Sequence, residues 1–209
     1  LHISEVDYIV EADSPVVEMP APPATANDKK IAEHVMKEMV DGACLQLGIG
    51  GMPNVVGTLL AESDLKDLGC HSEMLCDAFF HLFEAGKLTN KRKSIDTGKT
   101  TYAFAAGSQF LYDWIDNNPS LAAYPTTYTN DPHNIAMNDN VVSINSCIEV
   151  DLFGQISSES AGNRQISGTG GQLDFVTGAY SSRGGKAIIC CTSSYQDKQG
   201  NLQSRVVPM

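Results

Sequence analysis

Two glycine-rich segments could present backbone N–H groups to an anionic ligand. The first, LGIGGMP, contains Gly48, Gly50 and Gly51 and lies between an apolar run and a helical pattern. The second, GTGGQLDF, begins at Gly168. Free N–H groups at such turns can bind anions and stabilise a developing oxyanion. Each segment also has a purely structural interpretation, a tight turn for the first and a hairpin loop for the second, so neither decides the function alone.

Two glutamates are candidates for a nucleophile that needs no general base. Carboxylates are generally ionised at neutral pH and can attack an acyl group directly. Glu73 in GCHSEM stands near the carboxyl end of a predicted strand, where α/β sheets bind their ligands. Glu149 in SCIEVDL stands inside an alternating strand, where a solvent-facing or hydrogen-bonded role is more common. Position therefore favours Glu73.

Several other chemical signatures are missing from the sequence. It contains no GxSxG, LGIGGMP lacks the GK[ST] of a Walker A loop, and Pro53 interrupts a GxGxxG pattern. The five histidines are scattered and the six cysteines form no CxxC pair, which disfavours both zinc and a disulfide framework. Reduced, buried cysteines are typical of a cytoplasmic protein.

The elements between these motifs predict an α/β fold with a largely parallel sheet. A helix is expected after Asn27 as its N-cap, followed by a strand over 44–47 and a second strand that ends near Glu73. A third strand covers 99–107, and the helix after it begins at Ser108. The apolar residues expected in the core of that helix are Phe110, Leu111 and Trp114. Beyond residue 124 the sequence predicts mainly short extended runs.

The first 26 residues differ from the rest of the chain. Alternation over residues 1–10 predicts one edge strand, and four prolines between Pro15 and Pro23 predict an extended linker over Glu11–Ala26. We therefore divide the chain into the end of a preceding domain with its linker, 1–26, and a second domain, 27–209, that contains both glycine segments and Glu73.

Charge and hydropathy exclude some partners. With 25 acidic and 14 basic residues the chain carries a formal charge of -11, which opposes binding to nucleic acid and to anionic membranes. The sequence contains no run of about 18 apolar residues, so it predicts no transmembrane helix. A small polyanion held by backbone N–H groups and a few cations stays compatible with this charge.

The series LGIGGMPNVV, GCHSEM, NSCIEVDLFGQ and SGTGGQLDF, followed by a strand and RVVP, resembles the family I CoA transferases, in their acetyl-CoA hydrolase/transferase branch. The resemblance covers about residues 45–209 and implies a NagB/RpiA/CoA-transferase-like fold. It implies ping-pong transfer of CoA between a short-chain acyl-CoA, such as 4-hydroxybutyryl-CoA, butyryl-CoA or acetyl-CoA, and a short acid such as acetate. It also implies a homo-oligomer, with coenzyme A as a substrate and no tightly bound cofactor.

The resemblance assigns roles residue by residue. Glu73 corresponds to the glutamate that forms an acyl anhydride and then a CoA thioester. The positions that would bind CoA or an oxyanion are Gly48, Ile49, Gly50, Gly51, Met52, Gly168, Gly170, Gly171 and Lys198. The family's amino-terminal half is missing from these residues, and the family's active sites lie where the two halves meet.

Two alternatives stay open at this stage. An acyl-CoA hydrolase would carry the same motifs, with water replacing the acceptor acid. A non-catalytic nucleotide-binding or structural domain would use both glycine segments only as turns.

Overall fold

A computed structural model describes residues 3–19, 21–48 and 50–208 of the chain. Seven α-helices are described: α1 (Ala26–Met36), α2 (Gly51–Glu62), α3 (Asp77–Glu84), α4 (Gln109–Ile115), α5 (Thr126–Thr129), α6 (Pro132–Met137) and α7 (Gln172–Ser181). The described strands are β1 (Cys44–Leu47), β2 (Gly69–Leu75), β3 (Thr100–Ala105), β4 (Leu121–Ala123), β5 (Val141–Ser146), β6 (Glu149–Asp151), β7 (Ile156–Ser157), β8 (Ser160–Ala161), β9 (Arg164–Gln165), β10 (Lys186–Cys190), β11 (Ser194–Gln196), β12 (Leu202–Ser204) and β13 (Val206–Val207).

Six parallel strands form the central sheet in the order β10-β5-β1-β2-β3-β4. From β1 the chain winds outward through β2, β3 and β4, and then crosses back to β5 on the other side of β1. The strand order therefore reverses between β1 and β5. In doubly wound sheets, ligands bind beyond the carboxyl ends of the strands at such a reversal.

Helices cover both faces of the sheet. One face packs against α1 to α4 in a large apolar core whose centre includes Leu45, Leu75 and Phe79, all fully buried. The other face packs against α6 and α7 in a smaller core that contains Ile135 and Phe175. Within β2, Cys70 and Met74 belong to the large core, whereas His71 and Glu73 lie on the face covered by α5 to α7.

The prediction of an α/β fold with a largely parallel sheet is confirmed, and so are the predicted alternating strands and helices between residues 27 and 124. β1 has the predicted bounds, β2 continues two residues beyond Glu73, and α4 has Ser108 as its N-cap. Leu111 and Trp114 are buried as predicted. The prediction for Phe110 is wrong, because its side chain is 71% exposed on the outer side of α4.

Three other predictions are corrected. The N-cap of α1 is Thr25 and not Asn27, because Thr25 and Asp28 form a reciprocal capping box. Residues 3–10 contain a 3-10 turn at Ile3–Glu5 and no strand, since no neighbouring strand pairs with this exposed segment. Beyond residue 124 the chain forms helices α5, α6 and α7 as well as short strands.

The linker crosses the carboxyl edge of the sheet. The Met19 N–H donates to the Gly107 carbonyl at 2.9 Å, and the Tyr112 hydroxyl donates to the Val17 carbonyl at 3.0 Å. The described part of residues 11–25 has neither helix nor strand, as the proline content predicts. None of the described helices could traverse a lipid bilayer.

Candidate active site

Glu73 is partly buried near the carboxyl end of β2, and its carboxylate lies against Gly171. A Cβ atom added to Gly171 would be 2.5 Å from Glu73 Oε2 and 2.9 Å from Glu73 Cδ. Non-bonded Cβ contacts this short essentially never occur in proteins. Only glycine therefore fits at position 171 while the carboxylate keeps its position. The structure thus brings together the predicted nucleophile and the second glycine segment.

Asn130 completes this contact. Its Nδ2 atom lies 2.5 Å from the same added Cβ of Gly171, the same distance as Glu73 Oε2. The Thr129 hydroxyl donates to Asn130 Oδ1 at 3.1 Å, and the Nδ2 donor of the same amide lies beside Gly171. An amide donor beside a carboxylate nucleophile is suited to hold the oxygen of an attacked carbonyl group.

The glycine at this contact is also the N-cap of α7. Gly171 has φ -93° and ψ 3°, and no side chain caps the helix. Among the described residues, no side chain accepts from the backbone N–H groups of the first turn, and the positive end of the helix dipole is next to the Glu73 carboxylate. Gly168 and Gly170 leave open space, since a Cβ at either would meet no described atom within 4 Å.

The first glycine segment reaches Glu73 from the neighbouring strand. β1 and β2 pair with Leu45 opposite Cys70, and continuing this register sets Gly48 opposite Glu73. On the other side, a Cβ at Gly48 would lie 2.9 Å from Asn145 Oδ1. Gly48 therefore connects Glu73 with the end of β5, at the reversal of strand order.

A buried polar network supports Gly48 from β5. Gln46 Nε2 donates to Asn145 Oδ1 at 3.1 Å, and Gln46 Oε1 accepts from Ser143 Oγ at 2.6 Å and from Asn145 Nδ2 at 2.9 Å. All three side chains are buried. Because both carboxamides are satisfied by each other, this network holds the end of β1 in one position.

The rest of the first segment faces the linker. Gly50 has φ 130° and is the N-cap of α2, again without a side-chain cap, while Gly51 and the buried Met52 begin the helix. Gly48 and Gly50 line a cavity of about 70 Å³ together with Met19, Pro22 and Met74. This volume is far below the roughly 300 Å³ of a small-molecule pocket, so the cavity by itself is no CoA site. Ile49 lies outside the described residues.

The remaining predicted positions are not in contact with Glu73 in the part of the chain that the structure describes. Lys198 is exposed in the turn between β11 and β12, a turn held by the Asp197 carboxylate, which accepts from the Gln199 and Asn201 N–H groups. Glu149 lies in β6, where its Oε1 accepts from the Gly162 N–H at 2.9 Å.

Sequence reasoning missed Asn130 and its supports. A signal existed in the sequence: Asp131-Pro132 is a helix start, and the structure has Asp131 as the N-cap of α6 with Pro132 as its first residue. That signal predicts where a helix begins. The helix-start signal does not predict which distant residues Asn130, the residue before Asp131, contacts in the folded chain.

The fold and site together define a doubly wound α/β domain with a carboxylate at a helix N-terminus beside the strand-order reversal. Residues 107–209 match the family described as acetyl-CoA hydrolase/transferase C-terminal domain. The butyryl-CoA:acetate CoA-transferase of Anaerostipes caccae is 52% identical over 100% of this chain and 47% of its own length. The solved 4-hydroxybutyrate CoA-transferase of Porphyromonas gingivalis superposes with a TM-score of 0.84 at 37% identity, over 100% of this chain and 49% of that one.

The chain belongs to the acetyl-CoA hydrolase/transferase family of CoA-transferases, as the motif series predicted. Its similarity to an acetyl-CoA hydrolase of Kluyveromyces lactis is lower, with 31% identity over 82% of this chain and 34% of that protein. The chain spans about half the length of the curated relatives it matches.

Proposed function

We propose that the natural chain containing these residues is a CoA-transferase that exchanges CoA between a short-chain acyl-CoA and a short carboxylic acid. The observation that carries the proposal is the contact of the Glu73 carboxylate with Gly171 at the uncapped N-terminus of α7. Butyrate, 4-hydroxybutyrate and acetate are the substrate candidates because they occur in the names of the more similar relatives. The hydrolase relative is more distant, which favours an acid over water as the acceptor.

In the first half-reaction, a Glu73 carboxylate oxygen attacks the thioester carbon of the acyl-CoA. The C–S bond breaks, CoA leaves as its thiolate, and an acyl-glutamyl anhydride remains. The negative charge that develops on the carbonyl oxygen is stabilised by Asn130 Nδ2 and by N–H groups at the start of α7. Losing one such donor costs about 2.7–4 kcal/mol of transition-state stabilisation.

The CoA thiolate then attacks the Glu73 carbonyl carbon of the anhydride. The bond from that carbon to the bridging oxygen breaks, the donor acid leaves as a carboxylate, and Glu73 becomes a CoA thioester. The acceptor acid repeats both steps in reverse and leaves as the new acyl-CoA. No proton transfer is required in either direction, which explains why the site needs no triad.

The remaining assignments belong to the same proposal. Five successive residues between β1 and the first turn of α2 contact CoA: Gly48, Ile49, Gly50, Gly51 and Met52. Gly168 and Gly170 contact it from the open rim before α7. Lys198 contacts a CoA phosphate from the hairpin that follows β10 at this edge. CoA is a substrate, no cofactor stays bound, and the enzyme is a cytoplasmic homo-oligomer completed by the amino-terminal half that the relatives possess.

Steady-state kinetics of the natural chain at its full length test this function. With butyryl-CoA and acetate, we expect acetyl-CoA as the product and parallel double-reciprocal lines. Glu73→Gln should lower kcat by more than about 10³-fold, as loss of a covalent nucleophile does. The matched control Glu149→Gln should stay within about twofold, because a glutamine can also accept the described bond from the Gly162 N–H.

Two results would contradict the proposal. Release of free CoA at a rate that does not depend on acetate would identify a hydrolase. Full activity in Glu73→Gln with native folding would move the chemistry to another residue.

A further inference from the structure

His71 lies two residues before Glu73 on β2, on the same face of the sheet, and is fully buried. Its Nε2 atom is 2.9 Å from the Thr129 carbonyl oxygen. Because a carbonyl can only accept, Nε2 carries the proton and Nδ1 is the acceptor. The Asn138 Nδ2 donor lies 3.5 Å from that Nδ1 atom, so the ring is bonded on both sides.

The Thr129 carbonyl belongs to the last residue of α5, immediately before Asn130. Thr129 is fully buried, and its hydroxyl fixes the orientation of the Asn130 carboxamide. The His71 bond therefore ties β2, which carries Glu73, to the residue that holds the Asn130 donor. One imidazole thus links the strand of Glu73 to the end of α5, next to Asn130.

His71 also contacts the element that carries the glycine. Its ring centroid lies 6.3 Å from that of Phe175, in the first turn of α7, and Phe175 N–H donates to the Gly171 carbonyl at 3.1 Å. The centroid of the Tyr128 ring, in α5, lies 6.4 Å from that of His71. The end of α5 and the start of α7 thus both rest on this side chain.

The surroundings keep the ring uncharged. Burial, with the nearby Lys93 ammonium, lowers the pKa of His71 to about 4, although the Thr129 carbonyl and the Asp96 carboxylate act in the other direction. A neutral ring has one donor and one acceptor, which matches its two partners.

We propose that His71 is a positioning residue, which acts through Thr129 to hold the Asn130 donor against Glu73 and Gly171. The inference rests on the proposed function, since it concerns the transition state of the Glu73 acylation. It predicts an effect on kcat and none on the binding of acyl-CoA, because His71 is buried and touches no open surface.

A set of variants of the full-length protein tests the proposal. His71→Leu removes both hydrogen bonds, whereas His71→Gln retains a side-chain N–H donor at similar reach. Exposed His133, whose side chain makes no hydrogen bond among the described residues, supplies the control His133→Leu. We expect His71→Leu to lower kcat by about 10–100-fold with KM for acyl-CoA within twofold, since small displacements of catalytic groups have effects of this order. His71→Gln should recover most of the loss, and His133→Leu should match the wild type.

A double-mutant cycle separates positioning from general destabilisation. In an Asn130→Ala background, His71→Leu should lower kcat by less than about threefold, because the group that it positions is already gone. Crystal structures of His71→Leu and His71→Gln give a readout that needs no turnover: the Asn130 amide should move away from Gly171 in the first and stay in the second.

Three results would overturn the inference: an unmoved Asn130 in the His71→Leu structure, equal kcat losses for Leu and Gln, or a full loss from His71→Leu in the Asn130→Ala background. Failure of the proposed function is distinct, because the wild type itself would then transfer no CoA while the structural comparison still decides the role of His71.

Discussion

The two glycine segments look alike in sequence but differ in their surroundings. In the first, Gly48 is packed against Asn145 and the Ile144 carbonyl, 2.9 and 3.3 Å from where a Cβ would be. In the second, Gly168 and Gly170 border open space, and only Gly171 is in close contact, with Glu73 and Asn130. The first segment is a turn packed against the end of β5. The second is an open rim, Gly168 and Gly170, that ends in one closely packed residue, Gly171.

This difference teaches that glycine serves two needs at one candidate active site. At Gly48 the missing side chain lets strand ends and a buried amide network meet, which is a requirement of folding. At Gly171 it lets a carboxylate and an amide approach the backbone, which is a requirement of the proposed chemistry. Substitutions at Gly48 should therefore lower mainly the stability of the fold, and substitutions at Gly171 mainly the activity.

Among the glycine substitutions, the largest effect is expected for Gly171→Ala. The added methyl would displace Glu73 and Asn130, so kcat should fall by about 10²-fold or more, while φ -93° lets alanine adopt the native backbone. Kinetics with thermal unfolding measure both quantities. Gly98→Ala, at the opposite edge of the sheet with φ 77°, is the control that should lose stability and retain kcat. Retained activity in Gly171→Ala would refute the close contact.

The buried His71 side chain, which contacts α5 and α7, should make the stability of the fold depend on pH. Burial depresses the pKa of His71 from 6.5 to about 4, so between these values the unfolded chain binds a proton that the folded chain resists. The free energy of unfolding should thus have its full value above pH 6.5 and fall by roughly 3 kcal/mol as the pH drops to 4. Urea unfolding across this range measures it. A His71→Gln variant that keeps the same slope would assign the effect to other groups.

Gly48→Ala should damage folding more than chemistry. Its methyl would press on Asn145 Oδ1 and the Ile144 carbonyl, an overpacking that costs about 1–3 kcal/mol of unfolding free energy. Urea denaturation measures the loss. Combining it with Asn145→Ala should give less than the sum of the two single losses, because the clash is relieved. Additive losses would mean that Gly48 and Asn145 do not press on each other.

The smallest effects distinguish two glycines of the open rim. Gly170 has φ 58°, so Gly170→Ala should lower stability by about 1 kcal/mol through backbone strain alone. Gly168→Ala has neither positive φ nor a close neighbour and should change stability by less than about 0.5 kcal/mol. Equal losses in thermal unfolding would contradict the description of this rim.

The first half of the fold could be predicted because its signals are local. Apolar runs, Ser108 as a cap and glycines after strands give the β-α alternation directly. The later helices were missed for physical reasons: α5 has only four residues, and α7 contains Gly178, which packs tightly on Ile135 of α6 and gives no helical signal. Glu73 and both glycine segments were predicted, whereas Asn130 and the Gln46 network depend on long-range packing that sequence spacing does not contain.

The central claim is that Glu73 becomes covalently attached to CoA, and peptide mapping tests it most directly. The natural chain at full length is incubated with acyl-CoA, treated with borohydride to reduce the glutamyl thioester to an alcohol, digested and analysed by mass spectrometry. We predict modification at Glu73 that requires acyl-CoA. Modification at Glu149, or no modification of any residue that depends on acyl-CoA, would contradict it.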